Sequence, residues 1–376
     1  MIADHKDWIL AKIAQKLSEM LSPSLDVCVL YAVSSNFRKE LYARVRKVDI
    51  VHFLSPWVFY DYKGVVSRPC VVTMWHMVDW SMFTPHVNRL DALYLSAKQW
   101  VEWSKPYVPK DVPVFRMPYG LDTHFFMKVP QAREDYKKQI KAPDQTVVIG
   151  FAGTGNAMPN QQDRKGHDRL FSLLGILNKK MSIPVVLRIV GKGWSRSLIP
   201  KDIRDWVQLD EFIREEDMPA YYSSLDVYLC LGKCEGVPYP VLEAMSCETP
   251  VITTPVGVAP EIIENGKNGF ILSASYAAED IMKNIEQLSA NHDFRTECGR
   301  RARITIQDNF RWEDVVNAKT ILNNYKQAER HFHQRSLTDR FGILTKWFLN
   351  HDAAVWIKRQ VLKMRHNPIG MGQASA

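Results

Sequence analysis

The sequence predicts two α/β domains that face each other across a cleft. Three observations carry this prediction. The chain has 376 residues, which exceeds the roughly 250–300 residues that one hydrophobic core usually reaches. Short apolar, β-branched runs alternate with helical segments in both halves, as in parallel sheets covered by helices. A polar, lysine-rich stretch at residues 128–145 interrupts this pattern, and we place the domain boundary there.

The first half contains five short apolar runs without polar alternation, which is typical of strands buried on both faces of a sheet. The predicted strands are Asp26–Tyr31, Asp49–Leu54, Cys70–Met74, Ala92–Leu95 and Val114–Met117. Helices over Trp8–Leu21 and Ala97–Ser104 would cover this sheet. The chain is thus expected to begin directly with a helix.

The second half alternates strand and helix more regularly, which indicates a doubly wound, Rossmann-like sheet. The predicted strands are Val147–Ala152, Val185–Val190, Val207–Leu209, Val227–Leu231, Val251–Thr253 and Gly269–Leu272, with helices at Asp168–Asn178, Glu215–Ser223 and Val241–Met245. Ligands of such sheets bind outside the carboxyl ends of the strands. The chemistry is therefore expected between the domains.

These patterns divide the chain into five parts, including a helix over Glu313–Ala328 that starts the crossing back to the first domain. The expected parts are an N-terminal Rossmann-like domain, a linker, a C-terminal Rossmann-like domain, a crossover helix and a C-terminal helical tail, at residues 1–122, 123–145, 146–312, 313–330 and 331–376.

Composition narrows the function classes. No apolar run approaches the roughly 18 residues of a membrane-spanning helix, and the charged N-terminal stretch does not look like a secretory signal. Six scattered cysteines do not suggest a disulfide framework, so we expect a reducing cytoplasm. Cys230 and Cys234 have no second Cys or His pair with the spacing of a zinc site, and we predict no metal site.

The formal net charge of +8 admits nucleic acid, anionic lipid or a phosphate-bearing substrate as a partner. Basic residues are spread along the chain outside the tail, so no nucleic-acid partner is expected. A nicotinamide-dependent oxidoreductase is disfavoured, because the glycine-rich segment Gly150–Gly155 does not complete G-x-G-x-x-G.

The segment after strand Val227–Leu231 carries the candidate chemistry. Pro240 suits the start of a helix, whose free N–H groups and positive dipole end would attract an anion. Glu235 and Glu243 flank this terminus and could accept hydrogen bonds from sugar hydroxyls on either side of a diphosphate. Lys165, or Arg164 beside it, would supply the neutralising cation, although Lys165 taken alone is more typical of a solvated lysine at a helix start.

These residues lie in a run that resembles glycosyltransferase family 4, the retaining enzymes of GT-B fold with an E-x7-E segment. The run is Glu235-Gly-Val-Pro-Tyr-Pro-Val-Leu-Glu243, followed by Thr249-Pro-Val-Ile and Gly257-Val-Ala-Pro-Glu-Ile-Ile-Glu-Asn-Gly-Lys-Asn-Gly269. Lys165-Gly, Leu187-Arg-Ile-Val-Gly and Pro118-Tyr-Gly-Leu-Asp122 match upstream, so that the resemblance covers roughly residues 70–325.

The resemblance implies that residues 1–122 form the acceptor-side domain and residues 146–312 the sugar-nucleotide-binding domain. It also implies roles for the site residues. Lys165 would bind the donor diphosphate, Glu243 the ribose and Glu235 the transferred hexose. The other implied donor-binding residues are Arg164, Gly236, Val237, Tyr239, Phe212 and Ile213, the last two against the base.

The first domain adds one candidate. His76, after strand Cys70–Met74, would lie near the reacting sugar, as a histidine does in the family. A histidine satisfied by backbone at a strand end is the alternative. Asp79 suits equally an N-cap of the next segment.

The first domain also departs from the family pattern, because no glycine-rich loop after a first strand is visible. Either Ser34-Ser-Asn36 replaces that loop or a first strand is lacking. A non-catalytic GT-B binding or scaffold protein therefore stays open as an alternative function.

The expected function is retaining, metal-independent transfer of a hexosyl group from a sugar nucleotide to an acceptor hydroxyl, with no cofactor. The resemblance implies a glycan or lipid-linked glycan acceptor in cell-surface polysaccharide biosynthesis. We expect a cytoplasmic protein, with the inner membrane face as an alternative location.

The tail at residues 331–376 has seven Lys and Arg residues against two Asp residues, interleaved with aromatic and aliphatic ones. This pattern indicates a basic amphipathic segment. It would anchor the protein on an anionic membrane surface, or pack against the first domain or a second subunit.

Overall fold

Two six-stranded sheets, in which all the described strand pairs are parallel, organise the molecule. The computed structural model describes residues 1–6, 8–77, 79–155, 164–210 and 213–335. Each sheet carries helices on its faces, and the two sheets form separate α/β domains. The predicted fold class is confirmed.

The N-terminal sheet has the strand order β2-β1-β3-β4-β5-β6. Its strands are β1 Ile2–Ala3, β2 Leu30–Tyr31, β3 Val51–Phe53, β4 Cys70–Met74, β5 Ala92–Leu95 and β6 Val114–Arg116. Its helices are α1 Ile9–Leu21, α2 Phe37–Arg44, α3 Pro56–Tyr62 and α4 Lys98–Ser104, with 3-10 turns at Lys63–Val65, Trp80–Met82 and Thr84–Arg89. Helix α1 buries one apolar face, formed by Ala11, Ile13, Ala14, Leu17 and Leu21.

The expectation that the chain begins directly with a helix is wrong. Strand β1 pairs with both β2 and β3 inside the sheet. Its two residues are too few to show a strand pattern. The loop from its carboxyl end leads into α1, whereas Ser34–Asn36 follow the edge strand β2 and do not replace that loop.

The C-terminal sheet has the strand order β12-β11-β10-β7-β8-β9. Its strands are β7 Val147–Ala152, β8 Val185–Val190, β9 Val207–Asp210, β10 Val227–Cys230, β11 Val251–Thr253 and β12 Phe270–Ile271. The helices are α5 Ala132–Gln139, α6 His167–Lys180, α7 Met218–Ser223, α8 Tyr239–Ser246, α9 Ala259–Ile262, α10 Ala278–Ala290 and α11 His292–Asn309, with 3-10 turns at Arg196–Leu198, Lys201–Trp206 and Glu215–Asp217.

The chain crosses between the domains twice, and the two crossings touch. The backbone N–H of Leu121 donates to the carbonyl of Phe310 at 2.7 Å. A Cβ at Gly120 would lie 2.8 Å from the Trp312 side chain and 2.9 Å from the Phe310 carbonyl oxygen. Only glycine allows this approach without displacement.

The single helix predicted at Glu313–Ala328 is wrong. Two helices occur instead, α12 Trp312–Val315 and α13 Ala318–Gln334. The side chain of Asn317 accepts a hydrogen bond from the N–H of Thr320 and caps α13. Helix α13 then packs on the N-terminal domain, where the Tyr325 hydroxyl lies 2.8 Å from Nδ1 of His52.

The end of α13 packs against the start of β5 through charged side chains. Nδ1 of His331 lies 3.2 Å from Oδ1 of the buried Asp91, and Arg335 lies 2.8 Å from the same carboxylate oxygen. Residues 336–376, which make up most of the predicted amphipathic tail, lie outside the described residues. Among the helices that the structure describes, none combines the length and apolar character needed to cross a bilayer.

Candidate active site

The carboxyl ends of the two sheets face each other, and the loop after β10 touches the segment after β4. A Cβ at Gly236, in the loop after β10, would lie 2.0 Å from the carbonyl oxygen of Trp75, which follows β4. The indole N–H of Trp100, on α4, donates to the carbonyl of Glu235 at 3.2 Å. The loop after β10 is therefore held against the N-terminal domain.

Glu235 lies at this contact with two cations. Its side chain is buried, with 5% of the residue surface exposed. Arg164 Nη1 lies 2.8 Å from Oε2, and Lys165 Nζ lies 2.7 Å from Oε1. Burial opposes ionisation, but Lys165 and Arg164 outweigh it and hold the pKa of Glu235 below its usual value. Glu235 is therefore a carboxylate at neutral pH.

Local backbone packing places the two cations. Gly166, directly after them, has a φ of +78°, and a Cβ there would lie 2.2 Å from the Leu231 carbonyl oxygen. The N–H of Lys233 donates to the carbonyl of Arg164 at 2.8 Å. The segment before α6 is thus fixed against the loop after β10, which explains why residues distant in sequence share one site.

His76 faces the same charges from the N-terminal domain. Its ring is half-buried. Desolvation, with Arg164 and Lys165, lowers its pKa to about 4, although Glu235 acts in the opposite direction. The imidazole is therefore neutral at neutral pH, with one nitrogen able to donate and the other able to accept a hydrogen bond.

The helix terminus predicted to attract an anion is the start of α8. The helix begins at Tyr239, so that Pro240 occupies its second position. The prediction that Pro240 starts the helix is therefore wrong by one residue. The Tyr239 ring lies 6.4 Å from that of Tyr119, and its buried hydroxyl has no hydrogen-bond partner among the described residues. Val237 is half-buried against the core of the C-terminal domain.

Glu243 lies one turn further along α8. The Tyr222 hydroxyl donates to Oε2 of Glu243 at 2.5 Å. Desolvation raises the pKa of Glu243 to about 7, despite this hydrogen bond and the nearby ammonium of Lys12. Lys12, on α1, forms a 2.6 Å ion pair with Glu215 of the C-terminal domain. This pair bridges the cleft near Glu243.

The structure brings Arg164, Lys165, Glu235 and His76 together, with Gly236 beside them. Ile213 is half-buried against the C-terminal core, and Phe212 lies outside the described residues. Asp79 accepts a hydrogen bond from the N–H of Ser81 at 2.8 Å, as an N-cap does.

Sequence reasoning missed three contacts with this site. They are the Trp100 hydrogen bond to Glu235, the Tyr222 hydrogen bond to Glu243 and the Lys12–Glu215 pair. Each depends on packing between segments far apart in the chain, which no local pattern signals.

No group of three or more His, Cys, Asp or Glu side chains arranged for a metal ion occurs in the described part of the chain. All six cysteines are unpaired. Cys230 and Cys234 are half-buried beside the site, and burial raises the pKa of the Cys234 thiol to about 11.

Comparisons with solved structures decide the fold. The Anabaena protein HepE in complex with UDP and glucose superposes with a TM-score of 0.67 at 14% identity, over 86% of this chain and 98% of that one. A glycosyltransferase from Rickettsia africae gives a TM-score of 0.66 at 18% identity, over 89% and 98%. The fold is GT-B.

The C-terminal domain of this GT-B chain also matches by sequence. Residues 132–305 match the family model described as glycosyl transferases group 1. Spore coat protein SA of Bacillus subtilis is 30% identical over 125 residues, 33% of each chain. The GDP-mannose-dependent alpha-(1-6)-phosphatidylinositol monomannoside mannosyltransferase of Mycobacterium tuberculosis is 23% identical over 212 residues, 53% of each chain. The GT-B chain thus spans between a third and about half the length of these curated relatives.

Proposed function

We propose that this protein transfers a glycosyl group from a nucleoside diphosphate sugar to an acceptor hydroxyl, with retention of anomeric configuration and without a metal ion. The observation that carries the proposal is the buried carboxylate of Glu235, held between Arg164 and Lys165 in the loop that leads into α8. The match to glycosyl transferases group 1 and the resemblance to glycosyltransferase family 4 support it.

The charge of the site suits a diphosphate. Arg164 and Lys165 outnumber Glu235, and the start of α8 adds roughly half a positive charge. The two cationic side chains keep 20% and 28% of their surface exposed, whereas the Glu235 side chain keeps only 7%. An incoming anion can therefore reach the cations more readily than the carboxylate, whose small exposed part is left for a sugar hydroxyl. Such pre-placed charges stabilise a leaving group without reorganisation.

The proposed roles follow the positions. Lys165 and Arg164 hold the diphosphate, Glu235 accepts hydrogen bonds from hydroxyls of the transferred sugar, and Glu243 accepts them from the ribose. Gly236, Val237 and Tyr239 line the start of α8. The base would lie near Ile213. For Phe212, contact with the base is proposed from the sequence alone.

In the reaction, the bond from the anomeric carbon to the diphosphate oxygen breaks and a bond to the acceptor oxygen forms on the same face. The acceptor proton passes to the departing diphosphate, so that no protein nucleophile is needed. Neutral His76 donates a hydrogen bond to the donor sugar or orients the acceptor. The work of the protein is positioning and charge stabilisation.

The acceptor is proposed to be a glycan or a lipid-linked glycan in cell-surface polysaccharide biosynthesis, used at the cytoplasmic face of the membrane. The basic amphipathic pattern of the tail supports a membrane surface as a partner.

Truncation of the chain tests this anchor. Because His331 and Arg335 pack on Asp91, a truncation after residue 335 leaves that contact intact. Sedimentation with anionic liposomes should fall in this truncation, and undiminished sedimentation would end the anchor proposal.

The function is tested by incubating the protein with a panel of UDP-, GDP-, ADP- and TDP-sugars and measuring nucleoside diphosphate release, with and without saccharide acceptors. We expect turnover of at least one donor, and proton NMR of the product should show the anomeric configuration of the donor. Inverted product would contradict retention. Absence of turnover with every donor would favour the non-catalytic alternative.

A further inference from the structure

An aromatic pair, the exposed Trp8 and the half-buried His5, lies at the cleft edge of the N-terminal domain, outside the site described above. Trp8 keeps 49% of its surface exposed. The ring of His5 stacks on it, with centroids 4.0 Å apart and planes inclined by 22°. Stacking on one side restrains the indole while its remaining surface faces solvent.

The topology places this pair beside the cleft. It belongs to the loop after the carboxyl end of β1, and β1 runs parallel to β3, which runs parallel to β4. The loop therefore opens at the same edge of the sheet as Trp75 and His76.

The pair also lies close to the donor side of the cleft. Lys12 is one helical turn beyond Trp8, since its N–H approaches the Trp8 carbonyl at 3.4 Å. From there its ammonium reaches Glu215 of the C-terminal domain at 2.6 Å. Desolvation raises the pKa of Glu243, and the charge of Lys12 opposes part of this rise. Trp8 is thus one turn from the pair that bridges the cleft.

The segments next to Trp8 combine exposed apolar residues with charged ones. Ile9 and Val33 are exposed at 42% and 55%, and the N–H of Val33 donates to the carbonyl of Asp4 at 3.2 Å, which brings the two loops together. The carboxylate of Asp4 and the Lys12–Glu215 pair supply polar groups nearby. An apolar face with a polar rim is the complement of a pyranose ring.

A pyranose presents C–H groups on its faces and hydroxyls around its edge. The C–H groups carry partial positive charge and are attracted to the negative face of an indole, while carboxylates and ammonium groups pair with the hydroxyls. A lipid bilayer fits less well, because the opposite wall of the cleft, at Glu215, stands within reach of the same helix.

We propose that Trp8, restrained by His5, is the platform that binds a sugar ring of the acceptor. The acceptor class is then a saccharide that stacks on the indole and presents a hydroxyl toward the donor site. This inference rests on the proposed function, since it places the acceptor opposite the proposed donor.

The test uses a saccharide array probed with the full-length protein in the presence of UDP or GDP. The variants are Trp8→Ala, Trp8→Phe and the matched control Trp103→Ala, which removes a tryptophan on α4 that is 56% exposed. We expect the wild type and Trp103→Ala to bind the same saccharides. Trp8→Ala should bind them roughly tenfold less tightly, and Trp8→Phe should keep most of the affinity.

Equal binding by Trp8→Ala and the wild type would overturn the proposal, as would a wild type that binds no saccharide, or that binds only lipid vesicles. The result is independent of turnover. Donor turnover with unchanged saccharide binding in Trp8→Ala would refute the platform alone, whereas Trp8-dependent saccharide binding without turnover of any donor would refute the transferase proposal alone.

Discussion

Lys165 Nζ lies 2.7 Å from Oε1 of Glu235, and this ion pair joins the start of α6 to the loop before α8. Together with Arg164 on the other carboxylate oxygen, it fixes two cations in place before any ligand arrives. We therefore propose two roles for Glu235: it orients the two cations, and its carboxylate accepts hydrogen bonds from the transferred sugar. Variants of Glu235 and of the cations test both roles.

Replacing Glu235 with Gln keeps the shape of the side chain and removes its charge. We expect kcat to fall by about a hundredfold, because a charge-assisted contact near the developing sugar cation is lost. Diphosphate binding should not weaken, since both cations become free to contact it. Initial rates and calorimetric titration separate the two effects, and an unchanged kcat would remove Glu235 from the site.

Lys165→Ala and Arg164→Ala should each weaken binding of the nucleoside diphosphate by about 10- to 100-fold, the usual value of a hydrogen bond to a charged group. The matched control is Lys233→Ala, because Lys233 is an exposed lysine of the loop after β10. Equal losses in all three variants would show that only the general positive charge matters.

Glu243→Gln should weaken donor binding and alter its pH dependence. The pKa of Glu243 is raised to about 7, and a ribose diol donates preferentially to the ionised form. Donor affinity of the wild type should therefore rise with pH through about 7 and level off above it. The variant, which cannot ionise, should lack this step. Calorimetry across that range measures it, and parallel profiles would contradict the role of Glu243.

The same variant should be more stable than the wild type at neutral pH. Between pH 4.5 and about 7, the folded state holds a proton that the unfolded chain has lost, so the free energy of unfolding falls as the pH rises. The uncharged amide of the variant carries no such cost, and the gain should be on the order of 1–3 kcal/mol at about pH 8 and small at about pH 4. Denaturant unfolding at both pH values checks this, and a lower stability of the variant at the higher value would contradict the desolvation argument.

How far the sequence predicts this structure depends on the length of each element. The strands Cys70–Met74, Ala92–Leu95, Val147–Ala152 and Val185–Val190 match their predicted bounds, because runs of four to six mostly apolar residues leave a clear pattern. The two-residue β1 leaves none. The break before α13 was signalled only by Asn317, whose capping role competes with its reading as one more helical residue.

The site likewise has one part that the sequence predicts and one part that it does not. The meeting of Lys165 with Glu235 was predictable, since the carboxyl ends of parallel strands open at one edge of a sheet. The contacts of Trp100 with the Glu235 backbone and of Tyr222 with the Glu243 side chain were not predictable, because they arise from tertiary packing. The raised pKa of Glu243 in particular follows from burial that no spacing of residues reveals.

Gly236→Ala should abolish activity and loosen the contact between the domains. The added Cβ would lie 2.0 Å from the Trp75 carbonyl oxygen, so the loop that carries Glu235 must shift. The matched control is Gly175→Ala in α6, where a Cβ would meet only Ile203 at 3.6 Å. That change should leave activity intact and stabilise the helix by up to about 1 kcal/mol. Full activity of Gly236→Ala, with the melting temperature unchanged, would contradict the close contact.

Turnover should survive chelation of divalent ions. Arg164, Lys165 and the start of α8 supply the positive charge that a metal ion supplies in other diphosphate sites. Initial rates before and after treatment with EDTA, with Mg²⁺ restored as a control, test this. Loss of turnover that Mg²⁺ restores would contradict metal independence.

Calorimetric titration of UDP, GDP, ADP and TDP into the wild type and into the Arg164→Ala, Lys165→Ala double variant tests the proposed donor site most directly. We expect the wild type to bind at least one of these nucleotides, and the double variant, while folded by circular dichroism, to lose that binding. Equal affinity in the two proteins, or a wild type that binds none of the four, would contradict the assignment of this site to a nucleoside diphosphate.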